Sequence, residues 1–290
     1  MPELPEVETI ARGLAKHVTG DVIESVWLGS KPEPLKSPAA DIVKTLEYAR
    51  IKNVRRVGKH IVVDLSRRSV ASSQKKQKRV PRFAQNDKLE NDAAQWIVHL
   101  GMTGQLLIAK PDQDIPKHTH AILRLRSGRE LRFVDPRRFG RLAVVQHAFQ
   151  APGSEPLDVG FELFSGLFRK RKTPIKSALL NQKLLSGIGN IYADEALFRA
   201  GVRPRRRTAS LSRAELQRLY ETVQQVLNEA IAAGGSSISD YVDANGDAGF
   251  FQFQHRVYGR EGEPCLVCRT HIKRIVISGR SAHYCSKCQR

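Results

Sequence analysis

The sequence predicts a chain of mixed α and β structure in more than one domain: an antiparallel β-sandwich or barrel, then a helical domain, then a small cysteine-rich module. Three observations lead there. Short Val-, Ile- and Leu-rich runs that often alternate with Arg or Lys fill the first half, whereas apolar residues recur at three-and-four spacing beyond residue 160. A stretch rich in Pro and Gly separates the two patterns. All four cysteines lie near the C-terminal end, in two Cys-x2-Cys pairs.

The chain opens Met1-Pro-Glu-Leu-Pro-Glu-Val-Glu-Thr-Ile10, and from Pro5 onward Val7, Ile10, Ala11, Leu14 and Val18 share one helical face. Pro5 suits a first turn, Glu6 and Glu8 lie near the positive end of that helix, and Arg12, Lys16 and His17 near the negative end. Strands are expected at 22–28, 51–57, 60–65, 95–100, 105–109, 120–126, 130–134 and 141–146, mostly separated by short Gly-containing turns. Between the third and fourth, residues 66–94 read as a basic insertion with few apolar residues, expected to be a disordered excursion suited to nonspecific polyanion contacts. These elements make a first domain over 1–148. A linker follows at 149–160, marked by Pro152, Gly153, Pro156 and Gly160.

Helices are expected at 161–172, 174–185, 190–200 and 212–233. The last begins with Ser212 and Glu215 at capping-box spacing and stops at Gly234-Gly235. A Gly-, Asp- and Phe-containing loop at 236–254 completes a second domain, 161–254, and 255–290 forms the cysteine module.

Composition narrows the function. With 290 residues and 41% hydrophobic content, the chain can build two cores. It carries no apolar run of about 18 residues and no signal-peptide pattern, so a soluble, intracellular protein with no membrane partner is expected. Lys plus Arg number 48 against 29 Asp plus Glu, a formal charge of +19. That excess favours a polyanion, and without a lipidation signal or a basic amphipathic surface helix the polyanion is nucleic acid.

Three stretches carry chemistry. Cys265-x2-Cys268 with Cys285-x2-Cys288 is a four-thiolate zinc pattern; two disulfides are the weaker reading in a chain without an export signal. Four protein thiolates leave no open position, so the ion is structural. Lys273, Arg274 and Arg280 make the segment between the pairs basic. At the other end, removal of Met1 would leave Pro2 as a secondary α-amine beside the Glu3 carboxylate, a nucleophile and an acid suited to iminium chemistry on a sugar aldehyde carbon. An α-amine titrates near about 8 against about 10.4 for lysine, so far more of it is neutral at pH 7. The plainer reading of the same acids is that they complement a helix dipole. Finally, Gly187-x-Gly189 joins two helices just before Asn190, downstream of Arg169-Lys-Arg-Lys172, an arrangement suited to phosphate.

Five ordered motifs extend these readings: Pro2-Glu-Leu-Pro-Glu-Val-Glu8, His99-Leu-Gly-Met-Thr-Gly104, Asp135-Pro-Arg-Arg-Phe-Gly140, Gly187-x-Gly-Asn-Ile-Tyr192, and Tyr258-Gly-Arg followed by the four cysteines. Together they resemble the bacterial formamidopyrimidine-DNA glycosylases of the Fpg/Nei family, over nearly the whole chain except the insertion. The resemblance implies an N-terminal helix-capped β-sandwich, a helix-two-turns-helix domain and a zinc finger. It places the Schiff base on Pro2, general acid work on Glu3, β-elimination on Lys59 and phosphate grip with δ-elimination on Arg280. Met102, Arg137 and Phe139 resemble the trio that fills the gap left by an extruded base. His99, His118, Arg171, Lys176, Asn190 and Tyr258 fall at DNA-contact positions, and Glu6 with the 236–254 loop is expected to meet the damaged base.

The implied activity is a base-excision glycosylase and abasic-site lyase acting on oxidised purines in double-stranded DNA, as a cytoplasmic, nucleoid-associated monomer with one structural zinc and no catalytic metal. Two alternatives stand beside it: an endonuclease VIII-like enzyme for oxidised pyrimidines, and a catalytically silent DNA-binding homologue.

Overall fold

Eight short strands assemble into two four-stranded antiparallel sheets, of order β1-β6-β7-β5 and β2-β3-β4-β8. In chain order they are β1 (Ile23–Leu28), β2 (Arg50–Val57), β3 (His60–Ser66), β4 (Ala93–His99), β5 (Gln105–Ala109), β6 (Thr119–Leu125), β7 (Glu130–Val134) and β8 (Arg141–Val145). The computed structural model describes residues 1–66, 93–238 and 241–290. Nearly all of the basic insertion expected at 66–94 therefore lies outside the described residues.

The chain divides into two compact units. The sheet unit comprises Ile10–Arg56 and His60–Phe149. Its centre is the β3–β4–β8 ladder, in which Val63 pairs with Trp96 and Trp96 with Val144. Trp96, Val62, Val98, Phe133 and Leu142 are buried there. One helix of this unit escaped the sequence reading: α2 (Ala39–Leu46), which packs on β1 and β8 and buries Ile42, Thr45 and Leu46. Two turns offer too few apolar positions for a period to stand out.

The helix–finger unit comprises Met1–Thr9, Val57–Lys59 and Gln150–Arg290. It takes in the first turns of α1 (Leu4–Val18) and the tip of the β2–β3 hairpin. Its own helices are α3 (Phe161–Phe168), α4 (Ile175–Leu179), α5 (Asn190–Arg199) and α6 (Arg213–Ala232). Two are shorter than expected. The basic run ends α3, with Lys170 in a left-handed conformation at φ 62°. After α4 the Asn181 side chain accepts the Lys183 N–H at 3.0 Å, a local turn that competes with helix. The capping box of α6 forms as expected: Ser212 Oγ accepts the Glu215 N–H, and Glu215 Oε2 accepts the Ser212 N–H at 2.8 Å.

Phe164, Phe168, Leu179, Tyr192, Leu197, Leu219, Val223 and Phe251 build this unit's core. A smaller cluster of Phe198, Val257, Cys265, Ile272 and Cys285 anchors the finger, whose hairpin is β9 (Lys273–Ile277) and β10 (Arg280–Tyr284). Among the described residues, no helix is long and apolar enough to cross a membrane.

Candidate active site

Residues far apart in sequence converge at the start of α1 within the helix–finger unit. Glu3 stands at the N-cap position, and Glu6, three residues on, returns its Oε2 to the Glu3 N–H at 2.8 Å. This is the backward half of a capping box. The Glu3 side chain points instead to the N-terminus of α5, where Oε1 accepts the Ile191 N–H at 3.1 Å. The residue capping α5 is Gly189, which has no side chain to offer. A Cβ at Gly189 would lie 2.2–2.6 Å from the Glu3 carboxyl atoms, so glycine there makes room for a cap borrowed from another helix.

Burial dominates the electrostatics. Glu3 is 4% exposed and Glu6 2% exposed. Glu3 Oε2 is buried and has no hydrogen-bond partner among the described residues. Desolvation, helped by the Glu6 charge and opposed by Lys59 and the Ile191 and Tyr192 N–H groups, pushes the Glu3 carboxyl up to about 7. Glu6 is also raised, again by burial first, against hydrogen bonds from Tyr192, Glu3 and Ser236. Its Oε1 accepts the Tyr192 hydroxyl and the Ser236 N–H, the latter at 2.9 Å. Glu6 thus ties the first turn of α1 to α5 and to the root of the 236–254 loop. Ser236 Oγ and His255 Nε2, 3.1 Å apart, close the two ends of that loop.

Lys59 sits in the two-residue turn between β2 and β3 and is buried. Desolvation lowers its pKa, the Glu3 and Glu6 charges oppose that shift, and Arg280 adds to it. Two carboxyls held up and an amine held down bring the proton affinities of the acids and the amine closer together, which eases proton exchange among them. Pro2, next to Glu3, is buried, and Met1 is half exposed. Arg280, at the first position of β10, is exposed.

Lys176, at a position the resemblance assigns to DNA contact, is wholly buried. Its ammonium binds Asp194 Oδ1 at 2.6 Å and the Ser281 carbonyl. Asp194 Oδ2 accepts the His283 N–H at 2.9 Å. The pair therefore fastens α4 and α5 to the strand that carries Arg280. Asn190 reinforces the junction by donating to Ser281 Oγ at 3.1 Å. Tyr258 stacks edge-on between His255 and His283, and its N–H reaches Glu195 Oε1 at 2.9 Å. Glu195 is buried and takes N–H donors from Arg256, Val257 and Tyr258. Arg171 is exposed, its Nε donating to the Leu167 carbonyl.

The four cysteine Sγ atoms lie within 4.8 Å of one another, with Cys265–Cys288 at 3.9 Å and Cys268–Cys285 at 3.4 Å. Thiolates about 2.3 Å from a tetrahedral ion stand about 3.8 Å apart, so this set fits one zinc. Cys265, Cys268, Cys285 and Cys288 hold that structural ion, whose chemistry is to cross-link the finger.

In the sheet unit, Met102 and Phe139 are exposed at 41% and 52%. The Arg137 guanidinium lies 4.9 Å from the Phe139 ring centre. His118 is exposed in a left-handed conformation, and His99 accepts the Gly101 N–H on Nδ1 at 3.0 Å.

The sequence reading passed over Tyr192, Asp194 and Glu195 as site residues, and included Ser236 only as the first residue of the loop expected to meet the base. Tyr192 carried a signal, since a tyrosine on an otherwise apolar helical face needs a partner for its hydroxyl. Asp194 and Glu195 carried one too, as adjacent acids in a helix whose neighbours Ile191, Ala193, Ala196 and Leu197 are apolar.

A buried acid site in one unit with a four-thiolate finger, in a chain of formal charge +19, fits the class of enzymes that act on nucleic acid. The comparisons specify it. Residues 1–142 match the family model of the formamidopyrimidine-DNA glycosylase N-terminal domain, 152–242 that of the formamidopyrimidine-DNA glycosylase H2TH domain, and 262–290 the zinc finger found in FPG and IleRS. The formamidopyrimidine-DNA glycosylase of Solibacter usitatus is 41% identical over 297 residues, covering 100% of both chains. That of Desulforamulus reducens is 40% identical over 301 residues, covering 100% of this chain and 99% of the relative. Among solved structures, the MutM (Fpg) protein of Thermus thermophilus is 37% identical with a TM-score of 0.81, covering 99% of this chain and 98% of that one. A complex between Lactococcus lactis Fpg and an abasic site containing DNA is 30% identical with a TM-score of 0.84, covering 99% of each chain. The chain belongs to the formamidopyrimidine-DNA glycosylase family.

Proposed function

We propose that this protein is a base-excision DNA glycosylase and abasic-site lyase that removes oxidised purines from duplex DNA, using the amine of Pro2 after loss of Met1. The observation that carries this reading is the Glu3 carboxyl: buried, held by the α5 N-terminus through one oxygen, partnerless at the other among the described residues, and raised to about 7 beside the residue that becomes the N-terminus. An acid with that pKa is about half protonated at neutral pH and serves as donor and then acceptor. Relatives named for formamidopyrimidine-DNA support the purine branch.

In this reading the Pro2 nitrogen attacks C1′ of the extruded nucleotide and the bond from C1′ to the base breaks, the base leaving with a proton. The sugar ring opens as Glu3 protonates its oxygen, and an iminium forms between Pro2 and C1′. Electron withdrawal by the iminium acidifies the C2′ proton. Its removal, assigned to Lys59 with its lowered pKa, expels the 3′ phosphate; a second elimination expels the 5′ phosphate, with Arg280 gripping the phosphate charge. Met102, Arg137 and Phe139 occupy the gap left in the stack. His99, His118, Arg171, Asn190 and Tyr258 are assigned to backbone contacts, and Glu6 with the 236–254 loop to the base. The reaction takes place in the cytoplasm, on nucleoid DNA.

Borohydride trapping tests the reading on a duplex with one 8-oxoguanine opposite cytosine, beside a duplex with one oxidised pyrimidine. The expected result is a covalent adduct mapped by mass spectrometry to Pro2, formed preferentially with the purine, and absent when an uncleavable extension precedes Pro2. Preference for the pyrimidine would assign the protein to the endonuclease VIII branch. Absence of an adduct with either duplex, from protein that begins at Pro2 and binds DNA, would make it a silent binder.

A further inference from the structure

Asp135 opens the Asp135-Pro-Arg-Arg-Phe-Gly140 turn. It is fully buried in the sheet unit. Its Oδ1 accepts the Thr103 hydroxyl at 2.6 Å and the Arg137 N–H at 3.2 Å, and its Oδ2 accepts the Gly140 N–H at 2.7 Å. One carboxylate therefore bonds the turn that carries Met102 and both ends of the turn that carries Arg137 and Phe139.

The backbone of Asp135 extends the junction to a third loop. Its N–H donates to the His118 carbonyl at 3.0 Å, and its carbonyl meets His120 Nε2 at 3.0 Å. The two turns also touch backbone to backbone: at Gly101, with φ +64°, a Cβ would lie 2.5 Å from the Phe139 carbonyl carbon and 2.6 Å from the Gly140 nitrogen. His118 and Arg138 are non-glycine residues at φ 71° and 58°, a conformation that persists only where surrounding bonds enforce it. Met102, Arg137 and Phe139 are exposed, and the two turns that carry them are bonded to one buried carboxylate through Thr103 and through the Arg137 and Gly140 N–H groups.

We propose that Asp135 is the positioning residue that holds Met102, Arg137 and Phe139 in one fixed arrangement for entry into the duplex. This rests on the reading above that the three occupy the gap in the stack. Asp135 touches neither DNA nor the reacting atoms. It acts by removing the conformational freedom that two exposed turns would otherwise lose on binding.

The test compares single-turnover excision of 8-oxoguanine from a duplex with strand cleavage at an abasic site in single-stranded DNA, which has no gap to fill. Asp135→Asn keeps the shape but brings an amide N–H2 against donors. It is expected to slow duplex excision on the order of tenfold to a hundredfold, as misplacement of positioning groups does, and to leave single-strand cleavage within about twofold. Thr103→Val, which removes one bond and keeps the carboxylate, should change the duplex rate in the same direction by less, and stands in if Asp135→Asn does not fold. In an Arg137→Ala/Phe139→Ala background the Asp135→Asn effect should shrink to within about twofold, because it acts through those side chains.

Equal losses on both substrates would overturn the proposal and make Asp135 a residue of general stability. So would a full duplex effect surviving in the double-alanine background. If Arg137→Ala/Phe139→Ala slows duplex excision while Asp135→Asn does not, the positioning role alone fails. If the double-alanine variant matches the parent on duplex, the gap-filling reading fails and this proposal with it.

Discussion

The acid site at the start of α1 and the Asp135 turns of the sheet unit use the same device to opposite ends. In both, a buried carboxylate collects hydrogen-bond donors: backbone N–H groups of Ile191 and Ser236 at α1, and the N–H groups of its own turn with the distant Thr103 hydroxyl at Asp135. At α1 desolvation raises the pKa values of the carboxylates themselves, and in the function proposed above Glu3 is the group that handles the proton. In the sheet unit the carboxylate is hidden, and the groups it supports, Met102, Arg137 and Phe139, are exposed. Proton chemistry needs water excluded from the acid, whereas probing a base stack needs side chains that stand in water until DNA arrives. One architecture supplies both by choosing which end of the hydrogen bond faces outward.

The comparison can be sharpened or broken by perturbing each side in turn. The largest effect should come from the zinc. Chelation removes on the order of 10 kcal/mol of binding free energy from the finger, so the helix–finger unit should lose its hairpin and its grip on duplex DNA while the sheet unit keeps its fold. Differential hydrogen exchange with and without chelator reads this out, and uniform loss of protection in both units would contradict it. Next comes Lys176→Met, which leaves Asp194 charged and buried; a loss of about 3–5 kcal/mol in denaturant unfolding is expected, recovered in large part by Lys176→Met with Asp194→Leu. A Lys176→Met variant as stable as the parent would mean that the pair does not fasten the Arg280 strand.

Glu3→Gln addresses the reactive side. A carboxyl raised on folding holds a proton that the unfolded chain releases, so its contribution to stability is full below pH 4.5 and lost as pH rises through about 7. Measured on the form that keeps Met1, so that no new ammonium lies beside the carboxyl, Glu3→Gln should cancel about 3 kcal/mol of that decline between pH 4.5 and 8. The part due to Glu6 should remain. In the form that begins at Pro2, Glu3→Gln should lower base excision about a hundredfold to ten-thousandfold. A stability profile unchanged by the substitution would show that Glu3 is not the desolvated acid.

Tyr192→Phe deletes one donor to Glu6 and should cost about 1.5–3 kcal/mol in denaturant unfolding, with the Glu6 carboxyl rising further because a bond to its charged form is gone. The smallest effect on stability belongs to the exposed side. Phe139→Ala should change the unfolding free energy by no more than about 0.5 kcal/mol, yet weaken duplex binding without altering its salt slope, since the ring neutralises no phosphate. A large stability loss there would erase the distinction between the two regions.

Much of this was legible in the residues. The strands at 105–109 and 130–134 fell where short runs rich in Leu, Ile, Val and Phe between turn signals placed them, because a strand of five residues needs only such a run with a turn at each end. The α6 capping box and the cysteine set were equally readable, since each is a fixed spacing of residue types with a known local chemistry. Pro2, Glu3 and Lys59 were marked by motif. The helix α2 was not, being too short to show a period, and α4 was overextended because apolar Leu184 and Leu185 are buried without being helical.

Which elements form, and which residue types are available for chemistry, follows from the chain's own order of residues, because periodicity, caps and side-chain inventory are all local. Protonation and duty are settled elsewhere, by packing. Lys59 and Lys176 are both lysines in basic surroundings, and nothing local distinguishes them. Packing buries both, placing one in the field of Glu3 and Glu6 and bonding the other to Asp194. The same holds for Glu3, Glu6 and Asp135, acids that could each have served a helix dipole or a turn. Desolvation and the choice of hydrogen-bond donor depend on residues distant along the chain, such as Ser236 for Glu6 and Ile191 for Glu3, and only the folded chain brings those together.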